Sequence, residues 1–385
     1  MDSNDSCFCG SGLKYKECHG KVSEKQISRT VDPFLFSKLP KAAQDQIISD
    51  EKKKEKQGEV RPIISLDHQG YKFVAVGNRF HYSKKWKTFH DFLFDYIKYI
   101  LDSEWGNSEL NKPLQQRHPI MQWYDSLCHF QKKHIEREGE VYSAVCTGTV
   151  GAYMSLAYDL YILRHHSLLQ SRLIKRLKDE RQFQGARYEI YTTASFIKAG
   201  FEIEFEDETD RTSTHCEFIA IHKKLKRKYS VEAKSRHRLG FLGHTGSPAK
   251  DHDAIRLQIG NLITNALRKE AGHTRIIFID INMPPREGAI FEKDWFKQLG
   301  KTLSKIEKNG VDSKPCPPAY TFFTNHPYHY IGEDEVEPSR DFLFSAVNIP
   351  TMLDSNHHKA MEQEPPVFEL WNSINMHNKV PHEFK

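Results

Sequence analysis

The chain has 385 residues, 38% hydrophobic and 12% aromatic, enough for one large core or two ordinary ones and a small appended module. Its 56 lysines and arginines against 51 acids leave a formal charge of +5, compatible with a polyanionic partner but too small to require one. No basic and apolar leader opens the sequence and no apolar run approaches a membrane span, so a soluble cytoplasmic protein is expected, with no membrane partner.

Seven cysteines fit a reducing compartment, because Cys128, Cys146, Cys216 and Cys316 are scattered without framework spacing and the other three cluster. The cluster reads Cys7-Phe8-Cys9-Gly10-Ser11-Gly12-Leu13-Lys14-Tyr15-Lys16-Glu17-Cys18-His19. Three thiolates and one imidazole complete a closed tetrahedral zinc site, and a segment this short cannot hold a core without such a staple. The spacing Cys-x-Cys, Gly-Ser-Gly, Lys-Tyr-Lys, Cys-His closely resembles the SEC-C motif. That resemblance implies a structural Zn²⁺ on Cys7, Cys9, Cys18 and His19, in an accessory module over residues 1–22 that contacts proteins or nucleic-acid assemblies and performs no chemistry itself. Residues 23–60 follow as a charged helical linker, ending in Asp50-Glu51-Lys52-Lys53-Lys54-Glu55-Lys56.

From Arg61 the pattern changes. Pro62 to Leu66 and Tyr71 to Val76 suggest a strand pair, and Phe89 to Leu101, Pro119 to Gln131 and Ala144 to Leu169 carry helical periodicity. Trp86, Phe89, Phe92, Phe94, Tyr96, Trp105, Trp123 and Tyr124 could stack nucleic-acid bases, but their helical spacing assigns them to a core. Residues 61–180 are therefore expected to form a mainly helical domain of unannounced function.

Residues 181–350 hold a second unit. A helix over Gln184 to Gly200 presents Phe183, Ala186, Ile190, Ala194 and Ile197 as one stripe, and Gly200 is its stop signal. Strands are expected at Phe201 to Glu206, His215 to His222, Lys228 to Lys234 and Thr274 to Asn282, with a helix face at Ile255, Gln258, Ile259, Leu262, Ile263 and Ala266 before the last. The Thr274 to Asn282 run reads as apolar on both faces, as a covered central strand should. Helix Trp295 to Ile306, strand Ala319 to Asn325 and an edge strand at Phe342 to Val347 extend the sheet. Residues 351–385 read as a C-terminal tail with one helix near Glu369 to Asn375.

Three charges in these strands call for an explanation. Glu217 shares a strand face with Ile219 and Ile221, while Glu232 and Lys234 share one face of the next strand. A charge set among apolar residues costs several kcal/mol unless paired or coordinated, and a hard divalent cation held by carboxylates is one resolution. The order of helix acid, strand acid and Glu-x-Lys resembles the PD-(D/E)xK phosphodiesterase superfamily over residues 181–282, with Glu217 standing where the name-giving pattern has Asp. The resemblance implies Glu217 and Glu232 as ligands of Mg²⁺ or Mn²⁺, Lys234 as the catalytic lysine, Glu189 as the assisting helix acid and Gln258 as a further site residue. The basic loop after the Glu-x-Lys strand contributes Arg236, Arg238 and Lys250 as candidate phosphate contacts.

The expected fold is α/β: a restriction-endonuclease-like mixed sheet flanked by helices, with a mainly helical N-terminal domain and a small zinc module. The expected activity is metal-dependent hydrolysis of nucleic acid, DNA ahead of RNA, in defence or repair. A protein partner through the SEC-C module and a homodimer are also expected. The competing reading is a non-catalytic adaptor or nucleic-acid or ribosome-binding protein on the same scaffold.

Overall fold

In the computed structural model, residues 38, 40–45, 47–48, 58–137, 139–205, 216–237, 242, 259–285, 288, 290–326, 328–334, 341–349, 364–376 and 379–384 are described. The zinc-like cluster of Cys7, Cys9, Cys18 and His19, most of the 23–60 linker and residues 351–363 lie outside them, as do Arg238, Lys250 and Gln258.

The first strands form a three-stranded antiparallel sheet, β1 (Ile64–His68), β2 (Tyr71–Val76) and β3 (Arg79–Ser83). The expected strand pair is thus a triplet. Gln69-Gly70, both at positive φ, closes the first hairpin, and Gly77 at φ 59° opens the two-residue loop of the second. Helices α1 (Phe89–Leu101), α2 (Ser103–Leu110), α3 (Pro119–His134), α4 (Gly148–His165) and α5 (Ser171–Leu177) follow. Thr88 starts α1 with a capping box: its hydroxyl accepts from the Asp91 amide while the Asp91 carboxylate accepts from the Thr88 amide. Helix α4 is buried nearly all round because α1, α3 and α6 (Phe183–Lys198) pack on it. The eight aromatics assigned to a core from their spacing do lie there, Trp86, Phe89, Phe92, Tyr96 and Trp123 buried and the other three packed at its margin.

Helix α6 leads into a six-stranded mixed sheet in sequential order, β4 (Phe201–Phe205), β5 (Phe218–His222), β6 (Lys228–Ser235), β7 (Thr274–Asp280), β8 (Ala319–Asn325) and β9 (Asp341–Val347). Strands β4, β5 and β6 form an antiparallel meander, β6, β7 and β8 run parallel, and β9 returns antiparallel as the edge. Helix α7 (Ile259–Arg268) connects β6 to β7 and α8 (Asp294–Asn309) connects β7 to β8, as parallel neighbours require. A short α9 (Tyr328–Ile331) precedes β9, and α10 (Pro365–Met376) packs on α6, where Ser373 Oγ donates to Ser195 O at 2.7 Å.

The sheet separates two apolar layers. Val231, Ile276, Phe278 and Phe322 face α4 and α6, in a core that continues from Val74 to Phe384 and crosses the boundary expected near residue 180. Ile277, Ile279, Ile281 and Phe323 face α7 and α8 on the other side. Phe278 is fully buried, its ring 5.6 Å from Phe196 and 5.0 Å from Phe322, so Phe278→Ala is expected to cost roughly 3–5 kcal/mol. Chemical denaturation would read this loss, and a wild-type midpoint would mean that the packing of α6 on the sheet does not rely on this contact.

Candidate active site

Register brings the charged residues together. Phe218 pairs with Val231 across β5 and β6, and the Glu217 amide donates to Val231 O at 2.9 Å just before β5 begins. Glu217 therefore lies beside Glu232 on the hairpin. In β6, Glu232 pairs with Ile277 and Lys234 with Ile279, which sets both on the α7 face of the sheet. Lys234 Nζ forms an ion pair with Glu232 Oε1 and sits 4.0 Å from Glu217 Oε1.

A second lysine, which the sequence reading missed, reaches the same pair. Lys269, directly after α7, places Nζ 3.1 Å from Glu232 Oε1 and 3.8 Å from Glu217 Oε1. Within Arg268-Lys269-Glu270 it reads as an ordinary charged helix end, so local sequence carries no signal for it. The third acid is held by a different cation: Glu189 of α6 accepts from Arg176 Nη1 of α5 at 2.6 Å. Three acids alone would repel; here three cations neutralise them. Among the described residues, no three His, Cys, Asp or Glu side chains gather into a cage that could hold a metal.

Glu232 is 1% exposed, and neither of its carboxylate oxygens has a well-aligned hydrogen-bond donor among the described residues. Burial, and then the Glu217 charge, push the Glu232 carboxyl above its ordinary range, with Lys234 and Lys269 opposing. Burial alone would depress the Lys269 ammonium, but Glu232 and Glu217 overcome it and raise it. Glu189 is pushed up to about 7, by burial first and the Glu217 charge second, against the pull of Arg176.

That last shift has a pH consequence. Because the folded value lies above the ordinary 4.5, Glu189 stabilises the fold below pH ~4.5 and loses that contribution as pH rises through about 7. The span corresponds to on the order of 3 kcal/mol. Glu189→Gln should flatten this part of the stability profile, so its advantage over wild type should grow from pH ~5 to ~8 in denaturant titrations. Parallel profiles for the two proteins would place the carboxyl in a less buried setting than the fold gives it.

Beyond Lys234, the carboxyl ends of β6 and β7 are locked by a polar network. Ser235 Oγ donates to Asp280 Oδ2 at 3.0 Å, and Arg187 Nη2 lies 3.3 Å from the same oxygen. Burial raises the Asp280 carboxyl, with Arg187 and Ser235 opposing. The Arg236 amide donates to Asp280 O, and Arg236 O accepts from Gln184 Nε2 at 2.6 Å and Asn282 Nδ2 at 2.9 Å. The Arg236 guanidinium donates to Ile281 O at 3.3 Å, so this candidate phosphate contact anchors the start of its own loop. Asp280 is itself a correction: the strand expected to be apolar on both faces ends in a fully buried acid. The signal was present, since an acid inside an apolar run is the feature that singled out Glu217.

Residues 4–21 match the family model described as the SEC-C motif. No curated protein and no solved structure is detectably similar to the chain. Among the described residues, no helix is long and apolar enough to cross a membrane.

Proposed function

We propose that Glu217, Glu232 and Lys234 form the active site of a metal-dependent nuclease of the PD-(D/E)xK type, a restriction-endonuclease-like phosphodiesterase. The observation that carries the reading is the facing pair Glu217 and Glu232 on adjacent strands, both contacted by a lysine two residues beyond the second acid. The succession α6, β4, β5, β6, α7, β7, with three antiparallel strands and a parallel fourth, supports it.

Mg²⁺ or Mn²⁺ suits this donor set. Mg²⁺ keeps most of its waters and binds through one or two carboxylates plus substrate phosphate, so a three-acid cage is not required, and the buried Oε2 of Glu232, for which no partner is found among the described residues, offers an acceptor position. Glu217 and Glu232 would hold the ion, which when bound polarises the phosphodiester and acidifies water. Lys234, released from Glu232, donates to the phosphate oxygen that gains charge or orients the attacking water. Glu189, held by Arg176 and with a carboxyl that titrates near neutrality, can take or return a proton on the α6 side. Arg238, Lys250 and Gln258 retain their proposed roles as phosphate contacts and a site residue, and DNA remains the preferred substrate, in defence or repair. Cutting both strands of a duplex would require two sites and hence a homodimer.

One observation favours the competing reading of a non-catalytic adaptor: Lys234 and Lys269 already neutralise both carboxylates, as a purely structural ion cluster would. Purified protein incubated with labelled single- and double-stranded DNA and RNA, with Mg²⁺, Mn²⁺ or EDTA, separates the two. Cleavage that requires added metal is expected; intact substrates throughout the panel would leave the adaptor.

A further inference from the structure

The β1-β2-β3 sheet turns an apolar face to solvent. Its inner face sets Val74 and Val76 in the core and His81 against Tyr96 of α1, ring centroids 5.2 Å apart. Its outer face is the reverse of what a solvated sheet should present. Register lines up Leu66, Phe73 and Tyr82 in one row across the strands and Ile64, Ala75 and Phe80 in the next. Phe80 is 76% exposed and Tyr82, Leu66 and Ile64 are 64%, 64% and 56% exposed. Tyr82 stands 5.9 Å from Tyr71 and 5.6 Å from Phe73, so the rings form one continuous platform. Large apolar side chains adjoining in the open mark a contact surface.

Charge selects the occupant. Residues 61–87 hold six lysines and arginines against a single acid, an excess equal to the formal charge of the whole chain. That acid, Asp67, is itself paired with Lys72 at 2.6 Å. Arg79 pairs with Val76 and turns to Tyr99 of α1 on the inner side, whereas Lys84, Lys85 and Lys87 are exposed just beyond β3, and Lys84 Nζ lies 4.7 Å from the Tyr71 ring centroid. Exposed aromatic faces interleaved with cations suit a ligand that has both planar rings and a phosphate backbone. A duplex buries its base faces in its own stack, whereas a single strand presents them.

We propose that the outer face of this sheet binds single-stranded nucleic acid by stacking bases on Phe80, Tyr82 and their neighbours while Lys84 and Lys85 meet the phosphates. The surface includes none of the site acids, so binding is independent of metal and of cleavage. The test is fluorescence anisotropy with a labelled oligothymidylate and a matched duplex, using the full-length chain carrying Glu232→Gln so that no strand is cut. The single strand should bind more tightly than the duplex, and Phe80→Ala with Tyr82→Ala should weaken it roughly tenfold or more. Lys84→Ala with Lys85→Ala should reduce the slope of log affinity against log salt by about 0.7 per lysine. Both ring positions are exposed, so circular dichroism should show the fold retained. Wild-type affinity in the double aromatic variant overturns the proposal. So does a variant that loses self-association or a protein complex while its oligonucleotide affinity is unchanged, because the face then serves a protein. Absence of metal-dependent cleavage by the wild-type chain, with single-strand binding intact, would overturn the nuclease reading alone.

Discussion

Lys234→Met should lower turnover on a nucleic-acid substrate by roughly two to three orders of magnitude, the usual cost of deleting one preorganised electrostatic stabiliser, while Mn²⁺ binding persists or tightens. The asymmetry follows from where its charge sits. Lys234 would compete with a metal for Glu232 and Glu217 and, once displaced from them, would be free to meet the phosphate. Lys269 holds the same acids from the α7 side, so Glu232 keeps a counter-charge when Lys234 is lost and the fold should survive. Lys269→Met is the matched control: it removes an equal charge from the pair and should also tighten metal binding, but at far smaller cost in turnover. Steady-state kinetics and Mn²⁺ titration of both variants would show this. Equal losses for the two lysines would mean that the cluster responds to total charge and that Lys234 has no separate role.

The second large effect concerns zinc. Full-length protein purified without chelator should carry one tightly bound zinc, and Cys9→Ser should abolish it, because a structural site on Cys7, Cys9, Cys18 and His19 within the SEC-C match would contribute about 10–16 kcal/mol through all four ligands together. Deleting residues 1–22 should leave the melting transition of the body and cleavage of a short oligonucleotide unchanged while altering recruitment of larger partners. Elemental analysis without zinc would remove the metal from the module. Loss of oligonucleotide cleavage in a folded deletion variant would contradict its accessory role.

Much of the scaffold could be read from local pattern because its elements repeat one periodicity over many residues. Helix α6 shows its stripe of Phe183, Ala186, Ile190 and Ile197 and ends at Gly200, whose φ of 83° is the left-handed stop that a glycine supplies readily. Glu217, Glu232 and Lys234 stood out because period-two alternation assigns each to a face before any pairing is known. The rest of the site depends on distance in the chain. Lys269 and Arg176 acquire meaning only when α7 and α5 fold back on the acids, a step no window of sequence encodes. Strand β3 was missed for a different reason: its alternation is inverted, with Phe80 and Tyr82 toward solvent and His81 inward, so the usual rule of apolar residues inside misreads it.

Glu232 should be needed for metal-dependent strand cleavage and not for the fold. Glu232→Gln keeps the shape of a residue that is 1% exposed, removes the charge and leaves Lys234 and Lys269 partly solvated. The deciding measurement compares wild type and Glu232→Gln for Mn²⁺-dependent cleavage of a labelled oligonucleotide, with melting temperature recorded on the same samples. Cleavage by wild type, a loss of at least about a thousandfold in the variant, and a melting transition within a few degrees of wild type without metal are expected. A variant that melts far below wild type with no metal response in either protein, or one that cleaves as wild type does, would contradict that expectation.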